Sequence, residues 1–465
     1  MTARLPAREM GASRPATEGS GRRALATIAL ITLMLPVTFS MGTWTMSPSR
    51  ALFLVLLPIQ LFNLLRGQYG KVTYIDWLIL GYMAWRTFVP FIHNPQVALQ
   101  YAGSNSVIFL GGYLVGRATI RTAEDFQWMA KVLAAFVIFS FPFAIYETIT
   151  GKFVIPHLFE KIPGVTSVKD VNYMRRMGMD RVQFVFVHPI HYGLFCSLAL
   201  SVYFIGLRGV ISGFWRWIGM FIIIACCLMS VSSGPFLSTM AQVGLIFYAF
   251  LFRNVDRRWL YFGLFFAFSY TVIELGSNRP GIVALMSLLT FSASTANVRF
   301  VLFEYGMAQI MRTPLFGIGF RQWDLPSWMT GSMDNFWLGL ALIFGLPAFL
   351  FMFGAVVAGL VGIGKRAFKP GGVLSNVRLG WGIMLVSLTL TLATVYIWSE
   401  VASLTMFMIG SGVFLLHARE ADEGDTPPPA EVDGRAGPTY SRFAPEVSRT
   451  ASAPPARQRF DKGRR

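Results

Sequence analysis

The stretch QWMAKVLAAFVIFSFPFAIYETI, residues 127–149, decides the fold. Between Lys131 and Glu147 it carries no charged side chain. At ~1.5 Å rise per residue a helix of this length crosses the ~30 Å of hydrocarbon in a bilayer. Arg117 and Arg121 stand just before it, and a long segment of mixed composition, about 150–184, follows it. Similar apolar runs recur at about 24–41, 50–65, 75–92, 101–116, 185–206, 215–231, 235–252, 259–276, 335–361, 379–397 and 400–417. Composition agrees: 54% of residues are hydrophobic and only 14% charged, with a mean hydropathy of +0.54. A soluble domain carries about 25% charged residues. The expected fold is therefore all-α, a polytopic membrane bundle of about twelve transmembrane helices.

Orientation follows from lysine and arginine in short loops. One set of loops carries Arg66 and Lys71; Arg117 and Arg121; Arg208; Arg253, Arg257 and Arg258; and Lys365, Arg366, Lys369 and Arg378. The short loops of the other set, 42–49, 93–100 and 232–234, carry none. The basic set alternates with the spans and places both termini in the cytoplasm. The run from Ala24 follows Arg14, Arg22 and Arg23 but lacks a convincing small-residue cleavage site, so it reads as a retained first span. The organisation expected is a cytoplasmic tail at 1–23, a transmembrane domain at 24–417 and a disordered cytoplasmic tail at 418–465, rich in Pro, Ala, Arg and acidic residues.

The net charge of +17 does not indicate nucleic acid, because the basic residues lie between apolar runs and not on one polar face. Cys196, Cys226 and Cys227 all fall inside apolar runs and read as small buried hydrophobes. No Walker loop, dinucleotide fingerprint or zinc-protease helix is present. No Asp-x-Asp pair occurs in a loop where it could hold a metal on a nucleotide sugar. These absences disfavour ATP-driven transport and nucleotide-sugar chemistry.

Two outer segments are long and charged. The first, about 150–184, holds Lys152, Lys161, Lys169, Arg175, Arg176 and Arg181; the second, about 277–334, holds Arg279, Arg299, Arg312 and Arg321. Long translocated loops escape the charge rule, and loops of this length are often functional. In the second, residues 296–311 read as a largely apolar interfacial helix that ends before Pro314. Phe316-Gly-Ile-Gly-Phe320 reads as a turn whose glycines allow close backbone approach. Trp323, Trp328 and Trp337 fit an interfacial belt, and Gly281–Phe291 is apolar enough to dip into the membrane. The arginines suit phosphate oxygens, which a guanidinium binds in pairs; snorkelling toward headgroups accounts for any one of them alone.

His188 and His191, three apart at the outer start of a span, share a helix face. They fit substrate hydrogen bonding, proton transfer or a helix-end role; a metal would need further ligands that are not evident. Asp334 and Asn335 open another span, where a carboxylate can take a proton from an attacking hydroxyl or cap the helix. Glu304 is a second candidate base. Asp76, Lys131, Glu147 and Glu400 lie near span ends, where snorkelling suffices, whereas Arg86 and Glu274 lie deeper and call for partners.

Taken together, Arg299-Phe-Val-Leu-Phe-Glu304, Pro314-Leu-Phe-Gly-Ile-Gly319, Met333-Asp-Asn-Phe-Trp337 and Gly345-Leu-Pro347 resemble the O-antigen ligase/polymerase family. Arg181 followed by His188-Pro189, and loosely Ser232-Ser-Gly-Pro235, add to the likeness, which covers roughly 175–360. The resemblance implies a GT-C-like bundle in the bacterial inner membrane. It also implies a glycosyltransferase that uses undecaprenyl-pyrophosphate-linked glycan at the outer face, with no cofactor or metal. By this likeness Arg175, Arg176, Arg181, His191, Arg279, Arg299, Arg312, Arg321 and Asn335 would bind pyrophosphate and glycan, and Asp334, His188 and Glu304 would serve catalysis. Ligases of the family have His where Asp334 stands, which turns the expectation toward an exopolysaccharide or capsule polymerase. Its implied partners are membrane lipids and a chain-length regulator and flippase of the same pathway. A ligase of finished glycan is the alternative within the family. A transporter or flippase is the alternative outside it, and it lacks the two similar halves often seen in such proteins.

Overall fold

Nearly every apolar run folds as an α-helix, the form in which a backbone satisfies its own polar groups without water. The computed structural model describes residues 16–41, 44–169, 173–276, 293–326, 328 and 333–420. Arg279, the apolar stretch 281–291 and the tail from 421 onward lie outside the described residues. The chain divides into a unit ending at Ala418 and a second beginning at Arg419.

The order begins with α1 (Ala16–Met34), strands β1 (Val37–Met41) and β2 (Trp44–Met46), α2 (Pro48–Leu65), α3 (Tyr74–His93) and α4 (Pro95–Asn105). A π-helical turn at Ser106–Gly111 leads into α5 (Gly112–Thr119), α6 (Ala123–Thr150), α7 (Val154–Glu160) and β3 (Thr166–Ser167). Then come α8 (Pro189–Phe204), α9 (Gly213–Met229), α10 (Ser233–Leu251) and α11 (Arg258–Gly276). The last described helices are α12 (Ala293–Arg312), α13 (Phe336–Phe344), α14 (Leu346–Gly364), α15 (Val373–Leu392) and α16 (Ser399–Gly410), closed by a 3-10 turn at Val413–Leu416.

Among the described residues seven segments are long and apolar enough to cross a membrane: α2, α6, α10, α11, α14, α15 and Ser399–Leu416. α8 and α9 are apolar but shorter. The protein is a helical membrane protein. Three expected spans differ from simple helices. The run 24–41 is helical only to Met34, because Pro36 lacks an N–H and disfavours helix at Leu35. Its remainder forms β1, in a small antiparallel sheet of order β2-β1-β3 that pairs Val37 with Ser167 and Phe39 with Met46. The run 101–116 passes through the π-turn, and 335–361 is broken at Gly345, whose φ is +84°.

Close packing and buried ion pairs hold the bundle. Gly112 and Gly116 lie against α16, where a Cβ on either would sit 2.3 Å from the Ser403 carbonyl oxygen or 2.2 Å from that of Phe407. Small residues four apart permit this backbone approach between membrane helices. Against the expectation that they snorkel, Asp76 and Glu147 are both buried. The Asp76 carboxylate accepts from Thr73 N and Oγ1, from the Tyr113 hydroxyl at 2.6 Å and from Arg117 Nε at 3.2 Å. Burial of a charge is tolerated only with such a complete set of partners. Arg86 is buried too, and it donates to the hydroxyls of Tyr82 and Tyr101 and to Asn105 Oδ1 beneath the Phe109 and Phe344 rings.

Candidate functional site: two arginines on adjacent serines

The first long loop is shaped by Glu147, at the end of α6. Its carboxylate accepts from Gln183 N at 2.6 Å and from Phe184 N at 3.2 and 3.3 Å. Gly151, with φ +66°, turns the chain out of α6, and Asp180 N returns to the Thr148 carbonyl. Val182 N bonds the Met229 carbonyl at the end of α9. Arg181, set between these anchors, is thereby delivered to the turn joining α9 and α10. There its Nη2 donates to Ser232 Oγ at 2.8 Å and its Nε to the Ser230 carbonyl at 3.5 Å. Val231, within the turn, has a positive φ of 43°, an uncommon conformation for a β-branched residue.

The next residue of the same turn holds the second arginine. Arg299, on α12, donates from Nη2 to Ser233 Oγ and to the Thr394 carbonyl, both at 3.2 Å. Its Nε and Nη1 are buried and find no acceptor among the described residues. Each such orphan donor costs about 1–3 kcal/mol, so this guanidinium is held in a place that suits an acceptor from elsewhere. Arg299, Leu302, Met333, Asp334, Asn335, Leu338 and Ala393 line one small cavity.

Charge ties the two loops together. Burial lowers the Arg299 pKa, Asp334 acts to raise it and Arg176 to lower it. Burial, and then the Arg176 charge, lower the Arg181 pKa to about 10, against an opposing effect of Tyr173. Arg181 is still a cation at neutral pH, and its guanidinium lies 5.3 Å from the Tyr173 ring centroid. The Arg176 charge thus acts on both Arg181 and Arg299, the latter 123 positions away, and the Asp334 charge acts on Arg299.

His188 lies outside α8, at its start, and its Nδ1 accepts from Ile190 N at 3.0 Å, which makes it a helix cap. Burial, then the charges of Arg181 and Arg176, push its pKa down to about 4, so the imidazole is neutral at physiological pH. His191, one turn on, is buried with Nε2 unpartnered among the described residues, and its ring lies 4.0 Å from that of Trp398. No group of three or more metal-ligating side chains occurs among the described residues.

The other candidates have different places. Asn335 caps α13 by accepting from Leu338 N at 3.0 Å, and the exposed Asp334 lines the same small cavity as Arg299. Arg175 is occupied by a two-pronged pair with Asp180 at 2.7 and 2.8 Å. Arg312, exposed and paired with Asp324, lies roughly 20 Å along α12 from Arg299. Glu304 is exposed and, five residues beyond Arg299, points about 140° away around the helix. Arg321 is exposed beyond the glycine turn. That turn contacts the chain itself: Ile318 N and Gly319 N donate to the Leu342 and Ile343 carbonyls, and Leu346 N donates to the Pro314 carbonyl. It satisfies the carbonyls freed where α13 breaks, and a Cβ at Gly345 would lie 2.0 Å from the Leu315 oxygen.

Residue-by-residue reading of the sequence passed over Tyr173, Thr394 and Trp398, and took Glu147 for a snorkelling charge. The Ser-Ser-Gly-Pro turn was the one available signal for Ser232 and Ser233, which act through neighbours remote in the chain. No protein-family model matches the chain, and no curated protein matches it significantly.

Proposed function

We propose that the protein is a polysaccharide polymerase of the bacterial inner membrane. It would join undecaprenyl-pyrophosphate-linked oligosaccharide repeats into exopolysaccharide or capsule at the outer face. The observation that carries this reading is the docking of Arg181 and Arg299, from the two long loops, on adjacent serines, with Arg176 nearby and unused donors on Arg299. A concentration of half-buried cations with spare N–H groups favours a multivalent anion such as pyrophosphate over a neutral or cationic cargo.

In the reaction, an acceptor hydroxyl attacks the anomeric carbon of the donor glycan. The bond from that carbon to the pyrophosphate oxygen breaks, and undecaprenyl pyrophosphate leaves with the electron pair. Arg181 and Arg299 stabilise the charge developing on the leaving group, the electrostatic contribution that dominates many enzymes. Asp334 accepts the hydroxyl proton. Donor and acceptor supply all the atoms, so the step needs neither metal nor nucleotide.

This reading includes twelve crossings in a GT-C-like bundle, both termini in the cytoplasm, and the long loops outside. A flippase delivers the repeats and a chain-length regulator limits the product. The test is to delete the gene and examine lipid-linked glycans. Accumulated single repeats support polymerisation. Accumulated long lipid-linked polymer would assign the protein to ligation, and unchanged lipid-linked glycan would refute both.

A further inference from the structure

The connection between α15 and α16 places one large ring where its neighbours are hidden. Thr394, Val395 and Ile397 are buried, whereas Trp398 is 42% exposed. Trp398 is extended and is followed by Ser399 with φ +55°, a left-handed conformation that a non-glycine residue adopts at a cost. Packing sets the ring's direction. His191 lies 4.0 Å from it at 59°, and His188 lies 6.1 Å from it at 67°. Tyr173 then stands edge-on to His188 at 4.8 Å, with the Arg181 guanidinium over the Tyr173 ring. An aromatic row therefore runs from the arginine that docks on Ser232 to an exposed indole.

The opposite end of the same connection is bound to the other arginine. The Thr394 carbonyl accepts from Arg299 Nη2, and three residues separate it from Trp398, so the four steps between them reach about 14 Å at most. The exposed indole is thus tethered within the length of a short oligosaccharide of both arginines.

We propose that Trp398, steadied by His191 and His188 and continued by Tyr173, is a stacking platform for a sugar ring of the lipid-linked glycan. This rests on the polymerase reading above. The C–H bonds on one face of a pyranose are electron-poor, and an indole face is electron-rich, so the two attract when the ring lies flat. The half-buried His188 imidazole, whose Nδ1 caps α8, leaves its other nitrogen for the rim. An interfacial-belt tryptophan would instead need only an amphipathic ring at headgroup depth.

The test uses the full-length protein in lipid nanodiscs and the oligosaccharide repeat released from the strain's own polymer. N-bromosuccinimide oxidises exposed indoles, and mass spectrometry reports each tryptophan separately. The oligosaccharide is expected to slow oxidation of Trp398 several-fold and to leave that of Trp328, 65% exposed, unchanged. Equal oxidation of Trp398 with and without it overturns the proposal. In cells, Trp398→Phe is expected to keep most polymer, and Trp398→Leu, at equal membrane abundance, to lose at least tenfold. Equal activity of the two variants overturns the platform, because a belt or packing role requires no π face. If deletion of the gene leaves lipid-linked glycans unchanged, the polymerase reading fails; if deletion changes them and Trp398→Leu does not, only the platform fails.

Discussion

Replacing Arg299 with methionine separates a binding arginine from a structural one, because the two roles predict opposite changes in stability. Among the described residues the side chain makes two hydrogen bonds, to Ser233 Oγ and the Thr394 carbonyl, and Nε and Nη1 are buried without acceptors. Losing two bonds costs about 2 kcal/mol. Removing two orphan donors returns about 2–6 kcal/mol. Methionine keeps much of the stem's packing, so the balance runs from neutral to about 4 kcal/mol in favour of the variant. On the polymerase reading proposed above, the same change would remove two charge-assisted bonds to the leaving group, each worth about 1.5–3 kcal/mol. Their loss corresponds to a fall in rate of about 10²- to 10⁴-fold. Thermal unfolding of the purified protein in nanodiscs, with polymer yield from a chromosomal variant at matched membrane abundance, measures both quantities. The expected outcome is an unchanged or raised melting temperature with nearly abolished polymer. A melting temperature lowered by many degrees, or unchanged polymer, refutes the reasoning.

Four further outcomes follow from the geometry. Ser232→Ala removes one hydrogen bond to Arg181 and is expected to lower polymer yield about tenfold, the effect of ~1.4 kcal/mol, with little change in melting temperature. Glu147→Gln leaves one backbone N–H of the Gln183–Phe184 pair without a full acceptor and is expected to cost about 1–3 kcal/mol, read as a lower melting temperature. Gly345→Ala forces a Cβ to within 2.0 Å of the Leu315 oxygen at φ +84° and is expected to abolish folded protein in the membrane, whereas Gly364→Ala, with open space, is neutral by fluorescence size-exclusion. The depressed His188 pKa means that the unfolded chain binds a proton at this site where the folded protein does not. The stability it contributes is complete above about pH 6.5 and declines as pH falls toward about 4. His188→Asn keeps a cap and is expected to flatten that part of the melting-temperature profile.

The membrane class and the helices were legible from residues 127–149 and their counterparts, because a bilayer requires a local property, an uninterrupted apolar run in hydrogen-bonded helix. The breaks at Pro36 and Gly345 were also written locally, although the run lengths concealed them. The glycine turn at 314–319 could be seen as a close approach, but what it approaches, the broken end of α13, lies in another element.

The candidate site divides in the same way. Sequence supplied Arg181, Arg299, His188 and Asp334 as residues whose chemistry suits an anion or a proton, and it set Arg312 beside the other arginines and Glu304 second to Asp334. Only the tertiary structure brought Arg181 and Arg299 onto Ser232 and Ser233, paired Arg175 with Asp180, gave the cap of α13 to Asn335 and placed Trp398 against two imidazoles. The physical reason is that hydropathy and helix periodicity act over a few residues along the chain. A charge is selected by whichever partners the packed helices bring within a few ångströms, and for Arg181 and Arg299 those partners lie 49 to 95 positions away.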